Sequence, residues 1–242
     1  MVDLSAGLSG VENLRTFIGA MQEYDPTLLS HSLGVTNIAW QLASYLKVEN
    51  GFQVLLQGAL LHDIGKTLID RAILQKPGPL SPAEQEIMKR HPVDGAQMLA
   101  EKGFSKELQV VVLYHHERWD GKGYLGLAGN DMPLNAQIVA LADAIDAMSS
   151  DRPYREALPP LAVYDEIEKG AGSQFSSELV GRLAQAGFWP TDGLGKERVL
   201  HLINRERQWL NFLAEQFHSL RHPLVQIQNR RLDKLVTAYY GE

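Results

Sequence analysis

A histidine and an aspartate stand side by side at the end of an apolar run. Val54, Leu55, Leu56, Ala59 and Leu60 recur at helical spacing and lead into Leu61-His62-Asp63-Ile64-Gly65-Lys66. The periodicity predicts a buried helix that ends on two polar side chains, with Gly65 as its C-terminal stop. A chain can bury such a pair only by giving it partners. A hydrogen bond between the two would serve. So would a metal ion, because neutral imidazole and carboxylate are both ligands. The dipeptide alone favours the hydrogen bond, so the rest of the chain has to decide.

Four more histidines fall on predicted inward stripes. Asp25-Pro26 reads as an N-cap followed by Pro at the first helical position, and Leu28, His31, Val35, Ile38, Leu42 and Tyr45 follow at spacings of three and four. Ser81-Pro82-Ala83-Glu84 reads as a capping box, with Glu84, Ile87, Met88 and His91 on one face of the helix it opens. Ser105 caps a helix carrying Leu108, Val111, Val112 and His115 on one face, with His116 beside it. The helix beginning near Pro133 places Asp143 and Asp146, three residues apart, next to its apolar stripe. Further helices run from Pro159 to Lys169 and from Ser176 or Ser177 to Gly187. Strand signals are nearly absent, so the expected fold is all-α.

One inward histidine is ordinarily a hydrogen-bonded core residue. Five of them with Asp63 and Asp143 are different. Each uncompensated buried polar group costs about 1–3 kcal/mol, against a total stability of about 5–15 kcal/mol for a domain. A shared metal cluster removes the conflict. The chain has no cysteine, so His31, His62, Asp63, His91, His115, His116 and Asp143 form a nitrogen and oxygen ligand set suited to Fe, Mn, Ni, Co or Zn. Seven ligands suit two divalent ions with Asp63 between them, which would hold a hydroxide for in-line attack on a phosphoryl group. Spacing alone leaves Lys66 open between a phosphate contact and a solvated helix-end cation.

A net charge of −6 argues against broad capture of nucleic acid. No apolar stretch is long enough to cross a bilayer, and the amino terminus lacks a secretory signal pattern, so no membrane is expected and the location expected is cytoplasmic. Residues 1–24 form a lead-in with one amphipathic piece, Val11 to Met21. Residues 188–193 mark a composition break. Beyond it Val199, Ile203, Leu210, Leu213, Phe217 and Leu220 recur at near-heptad spacing, and His222-Pro223 interrupts them. Residues 188–242 are therefore expected to form a helical hairpin extension, a candidate surface for a homodimer. His218-Ser219-Leu220-Arg221-His222-Pro223-Leu224 also resembles, over a short span, the phosphoacceptor box of sensor histidine kinases.

His62-Asp63-Ile64-Gly65-Lys66 together with His115-His116-Glu117-Arg118-Trp119-Asp120-Gly121-Lys122-Gly123-Tyr124 closely resembles the HD-GYP family. So do Ala142-Asp143-Ala144-Ile145-Asp146-Ala147-Met148, Arg152-Pro153-Tyr154-Arg155 and Gly170-Ala171-Gly172-Ser173-Gln174-Phe175. The resemblance covers roughly residues 25–187. It implies an HD-domain helical bundle and metal-dependent hydrolysis of cyclic di-GMP, commonly with iron or manganese. By match, one ion would take His31, His62, Asp63 and Asp143, and the other Asp63, His91, His115 and His116. Lys66 would meet the scissile phosphate and Arg152 and Arg155 would hold phosphate oxygens. The glycine-rich loop, with Lys122 and Tyr124, would frame the substrate. Asp146 is read as supporting or structural.

This chain departs from the family at two places. Members with three metals carry a Glu four residues before the first ligand histidine, and Thr27 stands there, which implies two ions. The family's Gly-Tyr-Pro, one residue, Gly-Leu is here Gly123-Tyr124-Leu125-Gly126-Leu127. The loop is one residue shorter, and loss of the proline is expected to loosen or reshape it, which bears on substrate choice more than on metal binding. Two rivals to the cyclic dinucleotide reading are an HD phosphohydrolase acting on another nucleotide or phosphoester, and a catalytically silent signalling adaptor.

Overall fold

The computed structural model describes residues 8–150, 156–189, 196–217 and 223–240. Among the described residues the chain is helical, and the sole β feature is an isolated bridge between Ala171 and Phe175. Arg152 and Arg155 lie outside the described residues, as do residues 218–222 of the phosphoacceptor-like box.

Helix α1 (Leu8–Tyr24) and α2 (Pro26–Leu46) are separated by Asp25, whose side chain accepts the N–H of Thr27 as the sequence predicts for an N-cap. The Thr27 hydroxyl donates to the same Asp25 oxygen at 2.7 Å. Helix α3 (Phe52–Leu61) follows, then a 3-10 turn (Ile64–Leu68), α4 (Arg71–Leu74), α5 (Pro82–Met88) and α6 (His91–Glu101). Helices α7 (Lys106–Tyr114), α8 (Leu134–Ser149), α9 (Pro160–Gly170) and α10 (Ser177–Gln185) complete the bundle, and α11 (Lys196–Phe217) and α12 (Pro223–Tyr240) follow.

Helices α2, α3, α7 and α8 pack on one another at the centre. Val35, Leu42, Leu55, Ile138 and Leu141 fill one apolar cluster between them. A second cluster joins α1 to the site-bearing end: Phe17, Met21, Leu29, Leu61, Ile64 and Leu108 are buried together. The amphipathic piece read at Val11 to Met21 thus belongs to a longer helix that covers the core.

Two expectations are corrected by the packing. Gly65 does not stop α3, which ends at Leu61; it lies inside the 3-10 turn. A Cβ there would overlap the carbonyl oxygen of His91 and come within 2.7 Å of the Gly95 nitrogen, so its bare backbone lets α6 approach. His91, expected on the face of α5, instead opens α6. Pro92 explains the break. A continuous helix would need the N–H of residue 92 on the carbonyl of Met88, and proline has none.

Helices α11 and α12 pack on each other and on α2. Trp209 is 1% exposed, with Trp40 of α2 at 5.6 Å and Phe212 at 5.2 Å between ring centroids. A polar seam sets the register. The Glu206 carboxylate accepts from Asn37 Nδ2 at 2.7 Å and from Gln228 Nε2 at 2.5 Å, and Gln41 Nε2 donates to Asn37 at 2.8 Å. Trp209→Ala should cost about 3–5 kcal/mol and lower the melting temperature by about 10 °C in calorimetry. A shift under about 2 °C would show that the pair contributes little to the core. No described helix is long and apolar enough to cross a membrane.

Candidate metal centre

Three of the histidines are steered in the same way. His62 follows the last residue of α3, His115 follows the last residue of α7, and His91 lies just beyond α5. Each ring meets a carbonyl three residues back through Nδ1: Ala59 at 2.8 Å, Met88 at 2.7 Å and Val112 at 2.7 Å. A carbonyl only accepts, so Nδ1 carries the proton in all three. These are last-turn carbonyls, the groups a helix leaves without internal donors. Helix termination thus fixes the tautomer and turns Nε2 of each ring inward.

The inward atoms converge on Asp63. Asp63 Oδ1 is 3.1 Å from His91 Nε2 and 3.8 Å from His115 Nε2; Oδ2 is 3.3 Å from His62 Nε2 and 3.7 Å from His31 Nε2. His31 is held differently. Its Nδ1 lies 2.8 Å from Asp146 Oδ2 and its Nε2 3.1 Å from Asp143 Oδ1, both from α8. Asp143 and Asp146 share a helix face, as their spacing predicts, and Asp146 orients the ring while Asp143 meets its inward nitrogen. Two groups result, each with ligand atoms within 4.8 Å of one another: His31, His62 and Asp63, and Asp63, His91, His115 and His116. Asp63 belongs to both.

The chemistry of this donor set fits a cation. His91 Nε2 and His115 Nε2 face each other at 3.3 Å. In neutral rings whose protons sit on Nδ1, both atoms present lone pairs, and Asp63 Oδ1 presents more. His62 Nε2 and Asp63 Oδ1 are buried without a hydrogen-bond partner. Positive charge among them turns these repulsions into bonds.

Protonation follows the surroundings. Burial drives the His115 ring well below its usual value, and His116 is pushed down to about 3 by burial and by His91. Both are therefore neutral and ready to ligate at ordinary pH. Burial opposes the charge of His31, but Asp143 and Asp146 override it and raise the ring to about 10. Burial likewise opposes ionisation of Asp63, yet the Lys66 ammonium beside it holds it well below the usual carboxylate range. Lys66 Nζ sits 2.6 Å from Asp63 Oδ2.

At the edge of this cluster, the Tyr124 ring lies on the His116 ring at 4.7 Å and edge-on to His91 at 6.5 Å, with 41% of the residue exposed. Lys122 is exposed, and its backbone N–H donates to Asp120 at 3.1 Å. The structure thus brings together His31, His62, Asp63, Lys66, His91, His115, His116, Tyr124 and Asp143. The sequence reading gave Glu117 no role. It is 3% exposed, and its two carboxylate oxygens accept the N–H groups of Leu125 at 2.6 Å and Leu127 at 2.7 Å. Its partners are main-chain N–H groups, so residue identity carried no signal for it.

An HD domain family model matches residues 28–148, half of the chain, and the protein belongs to the HD domain family. The cyclic di-GMP phosphodiesterase of Thermotoga maritima is 40% identical over 169 residues, spanning 67% of this chain and 46% of that protein. The cyclic di-GMP phosphodiesterase response regulator RpfG of Xanthomonas campestris is 42% identical over 153 residues, spanning 62% of this chain and 40% of that protein. The 3'3'-cGAMP-specific phosphodiesterase 3 of Vibrio cholerae is 37% identical over 146 residues, spanning 58% and 32%. The chain therefore spans less than half the length of these curated relatives. Among solved structures, the Bdellovibrio bacteriovorus HDG"Y"P protein Bd1817 superimposes with a TM-score of 0.52 at 26% identity, covering 63% of this chain and 50% of that one.

Proposed function

We propose that this chain is a metal-dependent phosphodiesterase of the HD-GYP type, acting on a cyclic dinucleotide, with cyclic di-GMP first among the candidates. Residues 25–187 would form the hydrolase, with residues 188–242 as a helical extension. The observation that carries the reading is Asp63, a buried carboxylate shared by two histidine groups. The curated relatives supply the substrate class.

Two divalent ions, Fe or Mn as the HD-GYP resemblance implies and Zn, Ni or Co also compatible with the sulfur-free set, would be held by His31, His62, Asp63 and Asp143 and by Asp63, His91, His115 and His116. When bound, they supply charge to polarise a phosphoryl group and activate water. The chain's own groups do the rest. Lys66 is poised to meet a phosphate oxygen and offset developing negative charge. Tyr124 offers an aromatic face at the rim to a nucleobase. Thr27 spends its hydroxyl on Asp25, which supports two ions over three. The buried Trp209, Leu213 and Val225 support packing within the chain in preference to a homodimer through the C-terminal helices.

The test is anaerobic loading with Fe(II) or Mn(II), elemental analysis, and assay on cyclic di-GMP, 3'3'-cGAMP and a simple phosphodiester. About two ions per chain with cleavage of a cyclic dinucleotide is expected. A loaded protein that cleaves neither cyclic dinucleotide refutes the substrate class. Cleavage of the simple diester alone would favour the other phosphohydrolase.

A further inference from the structure

The loop after His116 is held to the chain that precedes it at two places. Gly123 runs against the chain preceding it: a Cβ there would lie 2.5 Å from Glu117 Cα, 2.8 Å from the His116 carbonyl oxygen and 2.9 Å from the Arg118 nitrogen. Only glycine permits that approach. The next residue, Tyr124, is thereby laid over His116. The two residues that keep it there are Leu125 and Leu127, whose N–H groups converge on the buried Glu117 carboxylate, one on each oxygen. A carboxylate at 3% exposure needs such donors, and charged hydrogen bonds of this kind are the stronger class. The residue following Tyr124 can take part because it is Leu125 and carries an N–H; a proline at that place has none to give. A hydrogen bond from Leu125 stands where a proline ring would stiffen the chain.

We propose that Glu117 is a positioning residue: through the backbone N–H groups of Leu125 and Leu127 it fixes Tyr124 against His116 and so sets the rim that a cyclic dinucleotide must fit. Tyr124 and Leu125 are exposed on that rim, at 41% and 47%. Glu117 itself touches neither substrate nor ions in this account. It deepens the functional reading above and rests on it for the identity of the ligand.

Leu125→Pro removes one donor, and Glu117→Gln leaves one accepting oxygen and sets an amide NH2 against the other N–H, so the two-point grip is lost. Leu125→Ala keeps the N–H and serves as the control for exchange. Amide hydrogen exchange of the full chain tests the clamp directly. Leu127 is expected to exchange about tenfold faster in Glu117→Gln and Leu125→Pro, and at the parent rate in Leu125→Ala. Ion content should stay at the parent level in all three. On a cyclic dinucleotide, KM is expected to rise about tenfold in the first two variants with kcat within about twofold. Parent-like exchange at Leu127 in both variants would overturn the clamp. Faster exchange with unchanged KM would overturn its role at the rim. If the parent protein cleaves no cyclic dinucleotide, the functional reading fails, while the exchange result still decides whether Glu117 holds the loop.

Discussion

Asp63→Ala is expected to leave the chain folded and to lower the proposed hydrolysis about 10^3-fold or more, with ion content falling from the proposed two to one or none. Asp63 is the sole residue common to both histidine groups. Its two oxygens lie within 3.1–3.8 Å of four imidazole nitrogens, so truncation removes a ligand from each group at once. It also strips Lys66 of its partner at 2.6 Å. Truncated Asp143, which approaches one ring at 3.1 Å, should affect only the His31 group. Elemental analysis together with the melting shift on adding Mn(II) reads the outcome. Retention of two ions by Asp63→Ala would remove the shared carboxylate from the mechanism.

Gly65→Ala should be the most destabilising conservative substitution near the site. Overpacking costs about 1–3 kcal/mol, occasionally more, and Gly65 belongs at the upper end. The atoms opposing a Cβ there are backbone atoms of α6, the His91 carbonyl and the Gly95 nitrogen, which no rotamer change can move aside. Relief requires α6 to retreat from the 3-10 turn, and that carries His91 away from Asp63. Stability by denaturant unfolding and affinity for Mn(II) are expected to fall together, the affinity about tenfold. Gly181, inside α10 with open space around it, is the contrast: alanine there should be neutral or stabilise by about 0.5–1 kcal/mol. Equal behaviour of the two variants would rule out the close-approach explanation.

These two sites also mark the boundary of what the sequence disclosed. The histidines and carboxylates were legible because burial of polar side chains on apolar stripes is a local, periodic signal. It survives whatever the exact helix ends turn out to be. His91 shows this: the helix expected to carry it breaks before it, yet the ring still reaches Asp63 at 3.1 Å. The caps at Asp25, Ser81 and Ser105 were legible for the same local reason. Gly65 was not, because its constraint comes from a helix about 30 residues on, and glycine after a helix ordinarily reads as a stop. Glu117 escaped notice because its partners are main-chain groups eight and ten residues later, and main-chain donors leave no trace in residue identity. Trp209 sits off the near-heptad pattern, and its burial depends on Trp40, far away along the chain.

The steering of His62, His91 and His115 by their own helix ends bears on how such a protein can diverge. Each ring takes its orientation from a carbonyl three positions earlier, so no distant side chain has to co-evolve with it. The proposed metal coordination becomes a property that the individual helices bring with them. The neighbouring loop is then released from that duty and is free to shorten, exchange its proline and retune recognition. A lineage built this way can explore new messengers while its inorganic chemistry stays untouched.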